Sequence, residues 1–328
     1  MQRKILIIGA SPDHTNRNTF MRQYVAEGFA ELLGKDNIIS THLEIGAHYV
    51  NLQKPNLVLV FGSCMPDSAN YYDLRRSCDQ TGATLAFWLH DDPYEFDFSY
   101  RVEDIADVIF SNDRWATQHY NHRNVHHLPM AASKAAHLRP ISDEKDIDIL
   151  FCGVAFPNRI RLMKDLAPII KKYHTVVLGD QWPSDAMLAF TQNRRVNNSE
   201  LVTLYGRAKI TLNIGRNFHL ANRRYMLDPS TPGPRTFEAA ASGTVQACFV
   251  EGLEIVDYYK PGSEIEIFSS PDEFDQLLDR HLNMPETNKQ IATAAQERTI
   301  RHHLYKHRAQ QILKAIGVSY INKDTVNP

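Results

Sequence analysis

Short apolar runs alternate with longer amphipathic stretches along the first part of the chain. The apolar runs predict strands at residues 4–9, 56–61, 84–89, 108–110 and 125–128. Between them, residues 19–33 place apolar side chains at helical spacing and end before Gly34, and the polar segment 68–81 ends before Gly82. Strands that alternate with helices predict parallel pairing through right-handed crossovers, which is the arrangement of a doubly wound α/β domain.

The same alternation begins again after a polar stretch at residues 132–146, which we interpret as the domain boundary. Strands are predicted at 147–153, 175–179, 209–214 and 245–250. Helices are predicted at 159–172 and 199–207, from Pro234, from Pro271, and as one long charged helix at 288–316. We therefore predict two Rossmann-like doubly wound domains that face a cleft, with bounds at 1–140 and 141–316 and a tail at 317–328.

Composition limits the classes of partner. The chain has 328 residues, a formal net charge of -2 and a pI of about 6.7, so it has no general attraction for nucleic acid or an anionic membrane. Its four cysteines are far apart in sequence, and its first residues do not resemble a signal peptide. No apolar run reaches the length that spans a bilayer. These features predict a cytoplasmic protein without a membrane span.

Common cofactor signatures are missing from the sequence. There is no GxxxxGK[ST] P-loop, and Gly9-Ala-Ser-Pro follows the first strand where a dinucleotide-binding domain has GxGxxG. These absences argue against a kinase-like NTPase and against an NAD enzyme. There is no HExxH or Cys/His ligand pattern, and we interpret the histidines of residues 119–127 as solvated. We therefore predict no metal site and no bound cofactor.

The segment from Pro234 to Gly243 carries the most specific chemistry. Proline is well suited to the first turn of a helix, where its missing N–H would be unsatisfied in any case. Arg235 and Glu238 are three residues apart, so they project from one face near the positive end of that helix. This combination suits a nucleoside diphosphate, with phosphates on Arg235 and the helix end and ribose hydroxyls on Glu238.

Other candidates follow predicted strands of the second domain. Ligands of doubly wound sheets bind beyond the carboxyl ends of the strands. Gly153 ends one strand, with Arg159 in the next turn, and Asn213 and Arg216 lie where another strand leads into a long loop. We predict that these four residues contribute to ligand binding. The alternative is an ordinary strand-to-helix turn and a surface loop.

The first domain holds the candidate bases. Asp91 and Asp92 follow a strongly apolar strand, where one carboxylate could act as general base toward an acceptor hydroxyl. Adjacent carboxylates disfavour joint ionisation, which raises the pKa of one of them. Asp13 and His14 follow the first strand and could also supply a base. The alternative for both pairs is a polar turn with solvated charges.

Several ordered pieces of the sequence resemble one known family. In the second half they are the strand that ends at Gly153 with Arg159 after it, residues 204–214, residues 234–243, and the terminal segment 292–308. Residues 87–93, 110–113 and 127–132 add shorter matches in the first half. On these motifs the chain resembles the CgeB-like (spore maturation protein) glycosyltransferase family, which has the GT-B fold and a group 1-type C-terminal domain.

The resemblance implies transfer of a sugar from a nucleotide-diphosphate sugar that the C-terminal domain holds. The residue matching Glu238 would bind the ribose, and Arg235 the diphosphate. GT-B enzymes usually need no metal, because basic groups and helix dipoles stabilise the departing diphosphate. The N-terminal domain would hold the acceptor and the base, so Asp91, Asp92 and His14 are the catalytic candidates. The acceptor stays open among a glycan, a metabolite, a protein and modified DNA.

One position departs from the family pattern. Many retaining enzymes of this fold have a second glutamate eight residues before the one that matches Glu238, and this chain has Ser230 there. Retention of anomeric configuration therefore does not follow from the resemblance, and an inverting reaction would need a base. Two alternatives to a transferase stay open: a non-catalytic nucleotide-sugar-binding protein and a UDP-sugar epimerase of the same fold.

Overall fold

The computed structural model describes residues 4–15, 19–66, 69–250 and 254–318. These residues form two compact units, and neither unit is one continuous stretch of sequence. The first takes in the described residues of Met1–Met130, His219–Thr231 and Tyr305–Pro328. The second takes in those of Ala131–Phe218 and Pro232–Leu304.

A parallel sheet forms the centre of each unit. The strands in chain order are β1 (Ile5–Gly9), β2 (Ile38–Thr41), β3 (Leu57–Gly62), β4 (Thr84–Leu89), β5 (Val108–Ser111), β6 (Val125–His127), β7 (Ile147–Val154), β8 (Thr175–Asp180), β9 (Thr191–Gln192), β10 (Ala208–Asn213), β11 (Val245–Phe249) and β12 (Glu266–Phe268). The first sheet has the order β2-β1-β3-β4-β5-β6, and the second has the order β12-β11-β10-β7-β8-β9.

Helices connect the strands. In chain order they are α1 (Thr19–Leu33), α2 (Gly46–Gln53), α3 (Ala69–Thr81), α4 (Tyr100–Glu103), α5 (Lys134–His137), α6 (Pro157–Ile170), α7 (Asn198–Arg207), α8 (Pro234–Ala241), α9 (Pro271–Asn283), α10 (Pro285–His302) and α11 (Tyr305–Ala315). The first unit contains α1 to α4 and α11, and the second contains α5 to α10.

The order of strands in the second sheet locates a ligand-binding edge. From β7 the chain adds β8 and β9 on one side, and then returns to add β10, β11 and β12 on the other. This is the order of the nucleotide-binding Rossmann domain, in which a crevice opens beyond the carboxyl ends of the two strands where the order reverses. Those strands here are β7 and β10, which pair in parallel.

The central strands supply the apolar core of each unit. Residues of β1, β3 and β4 are almost fully buried, as the sequence pattern predicts for strands covered on both faces. In the second unit, Ile149 and Ile210 of the paired strands β7 and β10 are fully buried in one apolar cluster with residues of α6 and α9. The predicted doubly wound α/β class is confirmed for both units.

The sequence analysis did not predict the short edge strands. β9 and β12 have two and three residues, and β2 has four. They lie at or next to the sheet edges, where one neighbour and little burial leave no long apolar run in the sequence. The eight-residue helix α2 was also not predicted.

The prediction of one long terminal helix at 288–316 is wrong, because the helix is interrupted at His303 and Leu304. There the carbonyl of His303 accepts the backbone N–H of Ala132 at 2.9 Å, and Ala132 forms a β-bridge with Leu304. This pairing withdraws the carbonyl from helical bonding. The chain then starts α11, which packs on α1 in the first unit: a Cβ at Gly28 would lie 2.6 Å from the backbone of Tyr305.

The predicted bounds of 1–140 and 141–316 assume continuous domains, and they stay a prediction. In the structure, residues 219–231 and 305–318 belong to the first compact unit, although they follow the second unit's first strands in sequence. The predicted tail falls mostly on residues 319–328, outside the described residues.

Gly153 and Gly179 lie against each other at the ends of β7 and β8, and a substitution there tests how closely the two strands pack. Gly179 has φ +151°, and a Cβ there would lie 1.8 Å from the carbonyl oxygen of Gly153. We expect Gly179→Ala to lower the free energy of unfolding by about 3 kcal/mol or more, since strain and overpacking add. Urea denaturation of the full chain measures this change.

Gly206 is the matched control. It lies inside α7, and a Cβ there would meet no atom within 4 Å. Gly206→Ala should therefore leave stability unchanged or raise it by about 0.5–1 kcal/mol. Equal stability of the two variants would contradict the tight contact between β7 and β8.

Candidate functional site

Arg159 cross-links the ends of β7 and β10, the two strands between which the strand order of the second sheet reverses. It comes from the first turn of α6, and its guanidinium donates to the carbonyls of Val154 at 3.1 Å, Ile214 at 2.9 Å and Gly215 at 3.2 Å. The cation also lies 5.1 Å from the ring centroid of Phe156. Arg159 therefore joins the carboxyl ends of β7 and β10 to each other. Gly153, the second predicted residue here, lies beside it in β7.

Asn213 is a second cross-link at the same edge. Its side-chain amide donates to Thr236 Oγ1 in the first turn of α8 at 2.8 Å, and to Gln246 Oε1 of β11 at 3.0 Å. Arg216, three residues on, places its guanidinium 5.1 Å from the Phe156 ring centroid and donates to the carbonyl of Phe218. Asn213 thus fixes where α8 begins relative to the strands.

Helix α8 presents a cation at its open N-terminus. Its N-cap is Gly233, which has no side chain to cap the helix, and a Cβ there would meet no atom within 4 Å. The Arg235 side chain is 43% exposed, and its Nη1 donates to Glu238 Oε2 at 2.5 Å. Glu238 itself is almost completely buried, with a side chain 3% exposed. Nη1 of Arg235 also lies 3.4 Å from Asn198 Oδ1.

The pKa of Cys152 shows that these groups share one neighbourhood. Burial raises the pKa of this thiol, which precedes Gly153 in β7. The charges of Arg235 and Arg159 lower it in part, while the charge of Glu238 raises it further. The structure therefore brings the predicted residues of the second domain together at the carboxyl edge of β7 and β10.

In the first unit, Asp92 is a buried carboxylate at the end of β4. It is 3% exposed, and its Oδ2 accepts hydrogen bonds from Ser111 Oγ at 2.6 Å and Tyr120 OH at 2.5 Å. Burial raises the pKa of Asp92 to about 7, although the two hydroxyl donors act in the opposite direction. Asp92 therefore holds its proton more tightly than an exposed aspartate does.

Asp91 differs from Asp92 in access and in partner. Its side chain is 30% exposed, and Oδ2 lies 3.2 Å from Nδ1 of His90, whose side chain is 6% exposed. Burial acts to lower the pKa of His90, but the charges of Asp91, Glu95 and Asp92 outweigh burial and raise it. Asp91 is the accessible carboxylate of this group.

Glu95 belongs to the same group and was not predicted. It is 2% exposed and accepts hydrogen bonds from Ser63 Oγ at 2.8 Å and the Cys64 N–H at 3.1 Å, both just beyond β3. Burial and the charge of Asp91 raise the pKa of Glu95 to about 7. The only sequence signal was its position three residues after Asp92, in a segment that reads as a polar turn.

The two candidates after β1 have other surroundings. Asp13 accepts both guanidinium N–H groups of Arg22, at 2.7 and 2.9 Å, and contacts His42 Nδ1 at 2.6 Å. The hydrogen bond from Arg22 lowers the pKa of Asp13, which weakens it as a base. His14 is 77% exposed and lies 4.0 Å from Glu44. The structure therefore places Asp13 beside Arg22 and His42, and His14 at the surface near Glu44.

Ser230, where retaining enzymes have glutamate, is bound inside the first unit. Its N–H and Oγ donate to Asp113 Oδ2 at 2.7 and 3.0 Å, and the N–H of Thr231 donates to the same oxygen at 3.2 Å. Ser230 is completely buried. Both polar groups of Ser230 are therefore used to anchor its own segment.

Among the described residues, no helix combines the length and hydrophobicity needed to cross a bilayer. In the same part of the chain, no group of three or more His, Cys, Asp and Glu side chains is arranged to hold a metal ion.

Residues 159–314 match the family described as glycosyl transferase-like. The chain is also similar to the spore protein CgeB of Bacillus subtilis (strain 168), with 24% identity over 226 residues, which is 65% of this chain and 69% of CgeB. The family match covers β10 and α8 and begins at Arg159, just after β7.

Solved structures confirm the predicted GT-B fold. AviGT4, a glycosyltransferase involved in avilamycin A biosynthesis, has a TM-score of 0.65 at 14% identity, covering 95% of this chain and 96% of AviGT4. Anabaena Alr3699/HepE in complex with UDP-glucose has a TM-score of 0.59 at 9% identity, covering 96% and 99%. UDP-N-acetylglucosamine 2-epimerases share the fold as well. The family match and the likeness to CgeB support a CgeB-like glycosyltransferase, and the solved structures show that its fold is GT-B.

Proposed function

We propose that this glycosyltransferase takes its sugar from a nucleotide-diphosphate sugar bound at the carboxyl edge of β7 and β10. The observation that carries the proposal is the ion pair between Arg235, in the first turn of α8, and Glu238, one turn further on, beside a helix N-terminus without a side-chain cap. The cation and the helix dipole both favour an anion at this position. HepE, which has the same fold, holds UDP-glucose, and this supports uridine nucleotides as the first ligands to examine.

Arg235 is proposed to stabilise the leaving diphosphate. Its side chain is 43% exposed, and we propose that its guanidinium turns to a phosphate while the side chain stays on α8. Negative charge grows on the diphosphate as the bond to the anomeric carbon breaks, and a fixed cation and helix terminus stabilise that charge. We therefore propose a reaction that proceeds without a metal ion or a bound cofactor.

Glu238 is proposed to bind the ribose. An ionised carboxylate accepts hydrogen bonds and so matches the two ribose hydroxyls. In the structure its oxygens face Arg235, at 2.5 Å, and His137, at 3.8 Å. Arg159 and Asn213 support this arrangement by holding the strand ends and the start of α8 in place.

Asp91 is proposed as the general base toward the acceptor. It is the exposed carboxylate of the group after β4, and buried His90 orients it. The base would take the proton of the acceptor hydroxyl, the freed oxygen would bond to the anomeric carbon, and the bond to the diphosphate would break. The commitment of Ser230 to Asp113 supports this inverting course. The acceptor stays open among a glycan, a metabolite, a protein and modified DNA.

A UDP-sugar epimerase is the second candidate, because epimerases share the fold. An epimerase would need no acceptor, so isomerised nucleotide-sugar without free nucleotide would identify it. A purely binding protein would release neither product. We also propose a cytoplasmic location, which is supported by the free thiols of Cys64, Cys78, Cys152 and Cys248.

Arg235→Ala is expected to weaken UDP binding at least about tenfold, because a hydrogen bond to a charged group contributes about 1.5–3 kcal/mol. Glu238→Gln should weaken it similarly, since the amide presents one acceptor oxygen where the carboxylate presents two. Titration calorimetry measures both. Arg301→Ala is the control, because Arg301 is paired with Glu297 on α10 at 2.8 Å and is 68% exposed. Wild-type affinity for UDP, ADP, GDP and TDP in both site variants would contradict the assignment.

Asp91→Asn is expected to reduce turnover by about 100-fold or more, the usual contribution of a general base, while UDP affinity stays within about twofold. Release of UDP from UDP-glucose, with water as the acceptor, measures turnover. Asp73→Asn is the control, because this aspartate is 58% exposed on α3 beside Arg76. If Asp91→Asn turns over like the control, another group is the base.

Asp92 makes stability depend on pH. Its pKa is raised to about 7 by burial, so the folded chain keeps a proton that the unfolded chain releases near pH 4. Relative to Asp92→Asn, wild-type stability should therefore fall as pH rises from 5 through 7 and become constant above about pH 8. The expected loss is about 2 kcal/mol. Urea denaturation at each pH measures it, and a flat difference would contradict the raised pKa.

A further inference from the structure

His137 is a buried imidazole beside the proposed ribose-binding carboxylate. It ends α5, its side chain is 1% exposed, and Nε2 lies 3.8 Å from Oε1 of Glu238. Arg235 holds the other oxygen, Oε2, at 2.5 Å. The two oxygens of one buried carboxylate therefore face two different nitrogen groups.

Backbone geometry fixes which nitrogen of His137 carries the proton. The N–H of Ser133, the N-cap of α5, donates to Nδ1 at 2.9 Å. A neutral imidazole whose Nδ1 accepts a hydrogen bond carries its proton on Nε2. The ring therefore presents an N–H donor to Glu238. Burial lowers the pKa of His137, the charge of Glu238 opposes this, and the charges of Arg235 and Arg139 reinforce it.

The backbones of His137 and Glu238 are linked through one hydroxyl. Ser242 Oγ lies 3.0 Å from the carbonyl oxygen of His137 and 2.8 Å from that of Glu238. Because this hydroxyl holds both carbonyls, α5 and α8 keep a fixed separation. The distance of 3.8 Å between Oε1 and Nε2 would need to shorten by about 1 Å to reach hydrogen-bond length.

A second buried pair shows the closed form of the same contact. In His281 and Glu266 of the second unit, Nε2 and Oε1 are 2.8 Å apart, and the side chains are 0% and 7% exposed. Between His137 and Glu238 the distance from Nε2 to Oε1 is 1 Å longer, and Arg235 holds the other oxygen, Oε2, in a short ionic contact. The carboxylate lies toward Arg235 in this state.

We propose that His137 is a positioning residue that receives the Glu238 carboxylate when Arg235 turns to the donor diphosphate. This inference rests on the proposed function of Arg235 and Glu238. A buried carboxylate that loses its cation without a replacement is strongly destabilised. The Nε2–H group supplies a replacement that is neutral, so it holds Glu238 for the ribose without adding a cation beside Arg235.

Two substitutions distinguish the contribution of Nδ1 from that of Nε2. His137→Asn keeps an acceptor near Nδ1 for the Ser133 N–H but does not reach Glu238. His137→Gln places an amide N–H near Nε2 and gives up the Ser133 contact. We expect UDP affinity to fall about tenfold in His137→Asn and to stay within about threefold of wild type in His137→Gln. Titration calorimetry measures both, with melting temperatures to confirm folding.

The 2′,3′-dideoxy analogue of UDP shows whether the effect passes through the ribose. It lacks the hydroxyls that Glu238 would bind, so wild type and His137→Asn should bind it equally. His281→Asn is the matched control, because it breaks the other buried His–Glu pair, and UDP affinity should not change.

Three results would overturn the inference while leaving the proposed function intact. They are UDP affinity in His137→Asn equal to or above that in His137→Gln, an equal loss for UDP and its dideoxy analogue, and failure of His137→Asn to fold. The last two would make the ring a structural element only. If the wild type binds none of UDP, ADP, GDP and TDP, the proposed function and the inference both fail.

Discussion

A carboxylate that is removed from water must be given hydrogen-bond donors or keep its proton, and this constraint organises both units. Glu238 is held by Arg235. Asp113 receives four donors from its own unit, three on Oδ2 and the Ala116 N–H on Oδ1, and is a structural anchor. Asp92 and Glu95 have hydroxyl and backbone donors but no cation in contact, so burial raises the pKa of each to about 7. The kind of partner therefore separates binding, anchoring and proton-holding carboxylates.

Polar side chains at the edge of the second sheet are of two kinds: some hold the protein backbone in place, and others are available to a ligand. Arg159 and Asn213 direct their donors to carbonyl and side-chain oxygens of the protein, which joins β7, β10, β11 and the start of α8. Arg235 combines an ion pair to Glu238 with a side chain that is 43% exposed. A ligand site needs both kinds, because a cation positions a phosphate only if the backbone around it is rigid.

The sequence was informative where burial is strong and local. Apolar runs located the central strands, and the Pro234 segment located α8 with Arg235 and Glu238 near its N-terminus. Edge strands such as β9 and β12 were missed, because two or three residues are too few to show a periodic pattern. The break at His303 was missed for another reason: its cause is a hydrogen bond to Ala132, more than 150 residues away in the chain.

The alternation of apolar and amphipathic segments determined the α/β class by itself, and short motifs determined the family. Both depend on residues that are close together in the chain. Only the tertiary structure decided which polar residues share a site. Glu95 joined Asp91 and Asp92 through donors beyond β3, and His137 came to lie beside Glu238 through Ser242. Such groups meet because parallel strands and their helices bring distant segments to one edge, and a pKa is set by that packing rather than by neighbours in sequence.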